Sequence, residues 1–589
     1  MTVPVARERR ITLPRIGPSG LIRLGAVVGC LAAAIIVFCW LPGSIWSHPI
    51  AADDAAGHYY MARKLYDQGW TALLKLSTDD SFYPPLFAAL TALFMKAGAT
   101  ITAATVITWL VGAAVVFPVS MTTLASWLCR HLAPGCRLLV ATATPLLAAL
   151  IPGHPYAQLA VGPLLAYGLA LSLLPALLLA FLICLDVVAK LLDKTARPAA
   201  LIRPVVALAV LAGAEVMAQP RIVFTFVVAG LPFAVQWLIA LRKSHPKVVL
   251  GLVIAALVVA VAAVLIIARQ AVAMHTGESI FHPSGWFELY PPLHGIFAGF
   301  VFALTGGCVG YGSAGLVTAT ILAVPVVALG VICFRAPRWR GVAAAWLLAA
   351  FFVFLCASVP GGFSNLLTAV WYREEHRIVG TVVIPLILVL VCGLAELSRA
   401  ARPCWRRILA AGLVVWLVVT LLVNPQRAAL AEIVRSNSSP TGESATAMLT
   451  EYKLDAFAAM KPVVGDDGLV FADPYSGFDF AYGVAGIAVF FPAGNLWASG
   501  ERLMVEDDFG SGDKTQMTGA LCSVMPRYGA RFVAYFGLPY RDDYDHFLYY
   551  APFRDQNLIA GYVADGALTL VGEYPSGQAV PFALYRVAC

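Results

Sequence analysis

Eleven stretches of this sequence are apolar over enough residues, or nearly enough, to cross a lipid bilayer: 24–43, 100–128, 138–152, 164–185, 204–218, 222–241, 248–268, 313–334, 342–360, 378–398 and 408–423. A span needs about 20 residues, so 138–152 and 204–218 are short. In lipid every backbone N–H and C=O must be paired internally, which for such runs means helix. The expected fold is therefore a polytopic α-helical membrane protein. Composition agrees. Of 589 residues, 60% are hydrophobic and 12% charged, against about half and about a quarter in a soluble domain. A soluble enzyme, a disordered chain, a collagen-like chain and a small disulfide scaffold are excluded.

The loops between the spans alternate in charge. The N-terminus with 129–137, 186–203, 242–247, 335–341 and 399–407 holds 21 Lys and Arg. The longer set 44–99, 153–163, 219–221, 269–312 and 361–377 holds 8. The positive-inside rule assigns the first set to the cytoplasm. The N-terminus is then inside, and eleven spans put the C-terminus outside, at a plasma membrane. Val27-Val28-Gly29-Cys30 looks like a lipoprotein cleavage box, but the apolar run continues past it to Leu41, so the first span is expected to be retained. The positive charge lies in short loops rather than on a soluble face, so no nucleic acid is expected as a partner.

After Asn424-Pro425 the balance reverses. Residues 1–425 hold 29 basic and 14 acidic residues, whereas 426–589 hold 11 and 19. The expected division is a basic cytoplasmic N-terminus (1–23), a membrane domain (24–425), a turn-rich linker (426–444) containing Ser436–Gly442, and an exported α/β domain (445–589). In that domain 468–474 reads as a strand into a turn, Thr518 to Tyr528 as a helix capped by Gly529, Arg531 to Phe536 as a strand, and Leu568 to Val587 as two strands around Pro575-Ser576-Gly577. Only Cys522 and Cys589 lie there, and an oxidising compartment makes a disulfide between them plausible.

In a mostly aliphatic membrane chain, polar exceptions mark the working residues. Four outward segments stand out. Asp53-Asp54 follow the first span and open an amphipathic helix with His58, Tyr59 and Tyr60. Helix capping accounts for one acid; a pair also suits a general base or a divalent cation such as Mg, Mn or Ca, although no further ligand spacing supports a metal and no cofactor is otherwise implied. Asp79, Asp80 and Tyr83-Pro84-Pro85 read as a solvated turn before the short apolar helix 86–97. Glu215 and Arg221 bracket the outer end of a span, either as an ion pair or with Arg221 as a phosphate clamp. Trp371-Tyr372-Arg373-Glu374-Glu375-His376-Arg377 is denser in charge than an aromatic belt explains, and Arg377 sits where it could hold a lipid phosphate. Two patterns are discounted. Gly310-Tyr311-Gly312-Ser313-Ala314-Gly315 fits a dinucleotide fingerprint but lacks a βαβ unit, and Val309-Gly310-Tyr311-Gly312 occurs once where a potassium filter needs four copies.

This layout resembles the GT-C superfamily of membrane glycosyltransferases, which have many spans, acidic catalytic residues in the first outer loop and often an outer C-terminal domain. More narrowly, the chain resembles DUF6541, a family of actinobacterial membrane proteins. The matching stretches are Phe82-Tyr83-Pro84, Val116-Phe117-Pro118, Gly162-Pro163-Leu164-Leu165, Gln219-Pro220, and Trp371-Tyr372 followed by Arg377. The sequence departs at Phe87-Ala88-Ala89 and at Gln219, where that family is expected to place His. The resemblance implies a glycosyltransferase using a polyprenyl-phosphate sugar donor and a cell-wall or lipoglycan acceptor among membrane lipids. Asp53 and Asp54 would be catalytic, and Arg221 and Arg377 would bind the donor phosphate. His58, Tyr59, Tyr83, Glu215, Trp371, Tyr372, Glu374, Glu375 and His376 would line the substrate. Trp497, Tyr540, Tyr544 and Tyr549 are candidate acceptor contacts. A lipid or polysaccharide flippase, or a non-catalytic scaffold in envelope assembly, are the alternatives; a flippase predicts polar residues within the spans, whereas here they gather at one surface.

Overall fold

The computed structural model describes residues 17–589 except Asp79, 275–291, 310–312, 401–402, 440–447, Asp467, 493–517, 520–521, 524–526, Tyr528, 538–555 and Gln578. The membrane part is helical throughout. It begins with α1 (Pro18–Trp40), α2 (Asp53–Gln68), α3 (Leu86–Lys96), α4 (Ile101–Leu110), a π-helical turn at Val111–Val116, α5 (Phe117–Leu128), α6 (Pro134–Ala148) and α7 (Tyr156–Ala160). It continues with α8 (Leu165–Leu192), α9 (Ile202–Ala218), α10 (Ile222–Leu241), α11 (Pro246–Met274), α12 (Ile296–Thr305) and α13 (Ser313–Arg335). It closes with α14 (Arg340–Ser358), α15 (Gly362–Thr368), α16 (Glu375–Ala400), α17 (Pro403–Leu422) and α18 (Pro425–Asn437).

Among the described residues, 9 helices are long and apolar enough to cross a membrane, so the chain is a multi-pass membrane protein. One of the eleven expected spans falls short of that length: 138–152 ends early, because α6 has 15 residues and closes at Ala148. The stretch 248–268 lies within α11, a helix of 29 residues. Helix α16 forms the axis of the bundle, with Ile378, Val379 and Val382–Cys392 buried. Helices α9 and α11 lie at the edge and expose Val205, Val206, Val210, Leu257 and Val258, as suits contact with acyl chains. Apolar burial drives little association within lipid, so close packing must hold the bundle. Gly153 shows how close it is: its N–H donates to the Gly306 carbonyl at 3.0 Å, and a Cβ there would stand 2.5 Å from that oxygen.

Residues 426–437, expected as linker, are instead the helix α18. Asn424 caps it by accepting from the Gln426 N–H, and Asn437 at its end accepts from the Ala51 N–H at 2.7 Å. The C-terminal part then forms a mixed five-stranded sheet in the order β2-β1-β3-β5-β4, from β1 (Leu469–Phe471), β2 (Ala488–Val489), β3 (Ala530–Tyr535), β4 (Leu568–Tyr574) and β5 (Phe582–Val587). Strand β1 runs parallel to β2 and β3, and β5 is antiparallel to β3 and β4. Helices α19 (Glu451–Val464), α20 (Phe480–Ala485) and α21 (Gln556–Ala564) accompany it. Cys522 and Cys589 are disulfide-bonded. Most of the expected helix 518–528, and the aromatics Trp497, Tyr540, Tyr544 and Tyr549, lie outside the described residues.

Candidate functional site

Helix α2 has two working faces, because residues four apart stack on one side of a helix. Asp54, His58, Met61 and Leu65 share one face. Tyr59, Arg63 and Asp67 share the opposite one, and it carries the C-terminal domain. Tyr59 packs on Phe480, with ring centroids 6.1 Å apart, and Tyr60 lies 5.1 Å from the Tyr482 ring. The Tyr482 hydroxyl donates to Asp67 at 3.2 Å, and Arg63 holds Asp67 at 3.0 Å. Tyr59 is wholly buried, and its hydroxyl accepts from the Ile50 N–H at 2.9 Å. It is packed in the core, whereas it was expected as a substrate contact.

The other face of α2 meets the segment before α16. Arg377 Nη2 donates to Asp54 Oδ2 at 3.0 Å, and Asp54 keeps 37% of its side-chain surface exposed. The side chain of Asp53 lies outside the described residues; its backbone opens the helix. Two consecutive residues, Tyr372 and Arg373, have φ of +57° and +54°, a left-handed conformation uncommon for side chains of this size. Arg373 is pinned there by Asn365 and the Val359 carbonyl. The turn brings the Tyr372 ring against two cations: the Arg221 guanidinium lies 3.5 Å and that of Arg377 4.9 Å from its centroid. Burial, and then the positive charge of Arg377, bring Arg221 down to about 10. Its Nη1 is buried with no hydrogen-bond partner among the described residues.

Tyr83 joins this group. Burial, and next the negative charge of Asp54, raise its hydroxyl, while Arg377 and Arg221 pull it back; all three therefore lie within electrostatic reach. The His58 ring is buried beside Phe87, and burial followed by the charge of Arg377 lowers it to about 4. It is a neutral wall of the site at physiological pH. Burial would raise the Glu374 carboxyl, but hydrogen bonding and charge from His376, with help from Arg377, outweigh it and hold it below the usual range. Glu374 Oε2 lies 3.6 Å from Arg377 Nε.

Two further expected substrate residues stand apart. Trp371 is buried, and its Nε1 donates to Thr225 at 3.0 Å. Glu215 is 1% exposed, forms no ion pair with Arg221, and neither carboxylate oxygen has a hydrogen-bond partner among the described residues. Sequence reasoning passed over His294, whose Nε2 approaches Glu375 Oε2 at 3.4 Å, and Gln158, whose Nε2 donates to the His376 carbonyl at 2.7 Å. A His next to a Pro-Pro pair in an outer loop was a usable signal for the first; nothing local marks the second. Among the described residues no group of three or more His, Cys, Asp or Glu could hold a metal ion, and Asp54 faces the Arg377 guanidinium. Lys64 pairs with Asp80 at 2.7 Å.

This arrangement can hold an anion between two arginines, beside a carboxylate able to accept a proton. The fold is similar over 96% of this chain to ArnT from Cupriavidus metallidurans in the apo state, covering 98% of that chain with 11% identity and a TM-score of 0.47. It is also similar to the oligosaccharyltransferase of Archaeoglobus fulgidus tethered to an acceptor peptide, over 86% of this chain and 68% of that one, with 12% identity and a TM-score of 0.45. No curated protein matches the sequence. A model of the DUF6541 family, described as of unknown function, matches residues 3–571, and the chain belongs to that family.

Proposed function

We propose that this protein is a glycosyltransferase that moves a sugar from a polyprenyl-phosphate carrier to a cell-envelope glycan at the outer face of the plasma membrane. The observation that carries this reading is the convergence of Arg221 and Arg377 on Tyr372, next to Asp54. Two guanidiniums brought together at low exposure repel each other unless an anion joins them, and a guanidinium is the donor best shaped for phosphate. The loop asymmetry of 21 against 8 basic residues supports an outward-facing site, a cytoplasmic N-terminus and an exported C-terminal domain. No nucleotide sugar is available on that side, so the donor must arrive on a lipid.

In the reaction an acceptor hydroxyl oxygen attacks the anomeric carbon. The bond from that carbon to the phosphate oxygen breaks, and its electron pair stays on the phosphate, which becomes a monoester with one more negative charge. Arg221 and Arg377 stabilise that growing charge. The hydroxyl proton passes to Asp54. Arg377 is held by Asp54 before the donor arrives; a phosphate competing for Arg377 loosens the pair and leaves the carboxylate available as base. The C-terminal domain, seated on the far face of α2, would position the acceptor.

The test is transfer of labelled sugar from polyprenyl-phosphate donors by purified protein in nanodiscs. Transfer by the wild type and its loss in the D53N/D54N double variant, with the protein still present in the membrane, is the expected result. Full activity in the double variant refutes the assignment of the acids, and no transfer with any lipid donor refutes the reading.

A further inference from the structure

Behind Arg377 lies a buried chain of acids and histidines that the reaction above does not use. Glu374 Oε1 accepts from both the backbone N–H and Nδ1 of His376, each at 2.8 Å. The other oxygen of Glu374 faces Arg377 Nε at 3.6 Å. On the far side of the ring, His376 Nε2 is 3.7 Å from Glu375 Oε1, and Glu375 Oε2 is 3.4 Å from His294 Nε2. Glu374, Glu375 and His376 are each less than a tenth exposed. Neutral imidazole has one donor nitrogen and one acceptor nitrogen, whereas imidazolium has two donors. A ring with a carboxylate at each nitrogen is matched on both sides only when it carries the extra proton.

An arginine stays protonated, so this chain cannot pass protons through Arg377 to Asp54. Its effect must be through position and charge. We propose that His376, as an imidazolium clamped between Glu374 and Glu375, is a positioning residue that fixes Glu374 against Nε of Arg377 and so aims the Nη groups at Asp54 and the lipid phosphate. The proposal rests on the transferase reading above and reassigns Glu374, Glu375 and His376 from substrate contacts to supports. The groups facing the ring are Glu374 and Glu375 from its own segment, and His294, ahead of α12, reaches the other oxygen of Glu375. The α14 thiol of Cys356 lies within reach of both acids, and α7 contributes the neutral Gln158.

H376N keeps an N–H near the Nδ1 position but cannot take a charge. With the protonated ring as the working form, wild-type transfer falls as pH rises through the His376 titration. H376N should lower kcat/KM for the lipid donor about tenfold, the scale of one charge-assisted hydrogen bond, leave the acceptor KM unchanged and abolish the alkaline fall. E375Q should move that fall to lower pH. A wild-type donor KM and pH profile in H376N overturns the proposal. Nitrogen-15 spectra of histidine-labelled protein in nanodiscs give a readout that needs no turnover: a resonance with both ring nitrogens protonated at neutral pH, absent from H376N, is expected, and a neutral ring overturns the proposal. If the wild type transfers no sugar, the transferase reading falls while these spectra still decide the state of His376.

Discussion

The two ends of the helical bundle both gather carboxylates and arginines, and they do so differently. At the end away from the candidate site, Glu396 on α16 accepts from Arg399 at 2.7 Å and from the Trp339 indole at 3.1 Å, with Arg338 at 3.6 Å. Asp186 meets Lys190 at 2.9 Å and Arg130 at 3.7 Å. The Arg399 side chain is 54% exposed, and both Glu396 and Asp186 have basic partners. At the candidate site the basic partner is more buried, with the Arg377 side chain 19% exposed. Arg221 has an unpartnered Nη1 among the described residues, two guanidiniums share one tyrosine ring, and two adjacent residues hold a left-handed backbone. Pairs of the first kind, in which the basic partner is exposed, contribute little to stability and relax readily when changed. Strain and crowded like charge of the second kind cost stability and persist where function selects for them.

The contrast can be broken by substitution at each end. The largest effect is expected at Asp54: D54N should slow sugar transfer by about 10²–10⁴-fold, the usual worth of a positioned base, whereas E396Q at the other end should leave the rate within about twofold. Initial rates with saturating labelled donor in nanodiscs measure both, and equal losses would erase the distinction. Next, R377K and R221K keep the charge but lose the planar fork. Each should reduce kcat/KM for the lipid donor by about tenfold or more, with R399K unchanged.

A smaller effect is expected at Tyr372. Y372N suits a left-handed position but removes the ring that both arginines approach, and should raise the donor KM about three- to tenfold, the scale of a cation–π contact. The smallest concerns stability rather than rate. His58 is lowered from 6.5 to about 4 by burial first and the Arg377 charge second. Between those values the unfolded chain binds the extra proton, so stability falls as pH drops through that window and is unaffected by this group above it. The penalty at its acid limit is about 3 kcal/mol at most. H58F should flatten the decline of Tm between pH 6.5 and pH 4; an unchanged decline would assign the acid sensitivity elsewhere.

The helical membrane architecture was legible because long apolar runs have one structural solution in lipid. The four polar segments between the spans were legible as exceptions to that background. The sorting within them was not. Tyr59 and Asp54 lie five residues apart, and only the docking of Phe480 on one face of α2 sends Tyr59 into the core while Asp54 faces Arg377. Trp371 and Tyr372 are neighbours, yet the left-handed turn buries the first against Thr225 and places the second beside two guanidiniums. Residues 426–437 read as linker because their polar composition hides an amphipathic helix whose partners, α7 and the segment before α2, are distant in sequence.

The sequence by itself determined that this chain crosses a membrane many times and that acids and arginines collect in a few segments between the spans. Those properties follow from local hydrophobicity and charge, which need no partner. Tertiary structure alone decided that Arg221, Arg377 and Asp54 meet around Tyr372, with Glu374 and His376 behind them. These residues come from separate helices, and the packing of α2, α10 and α16 brings their side chains within a few ångströms of one another.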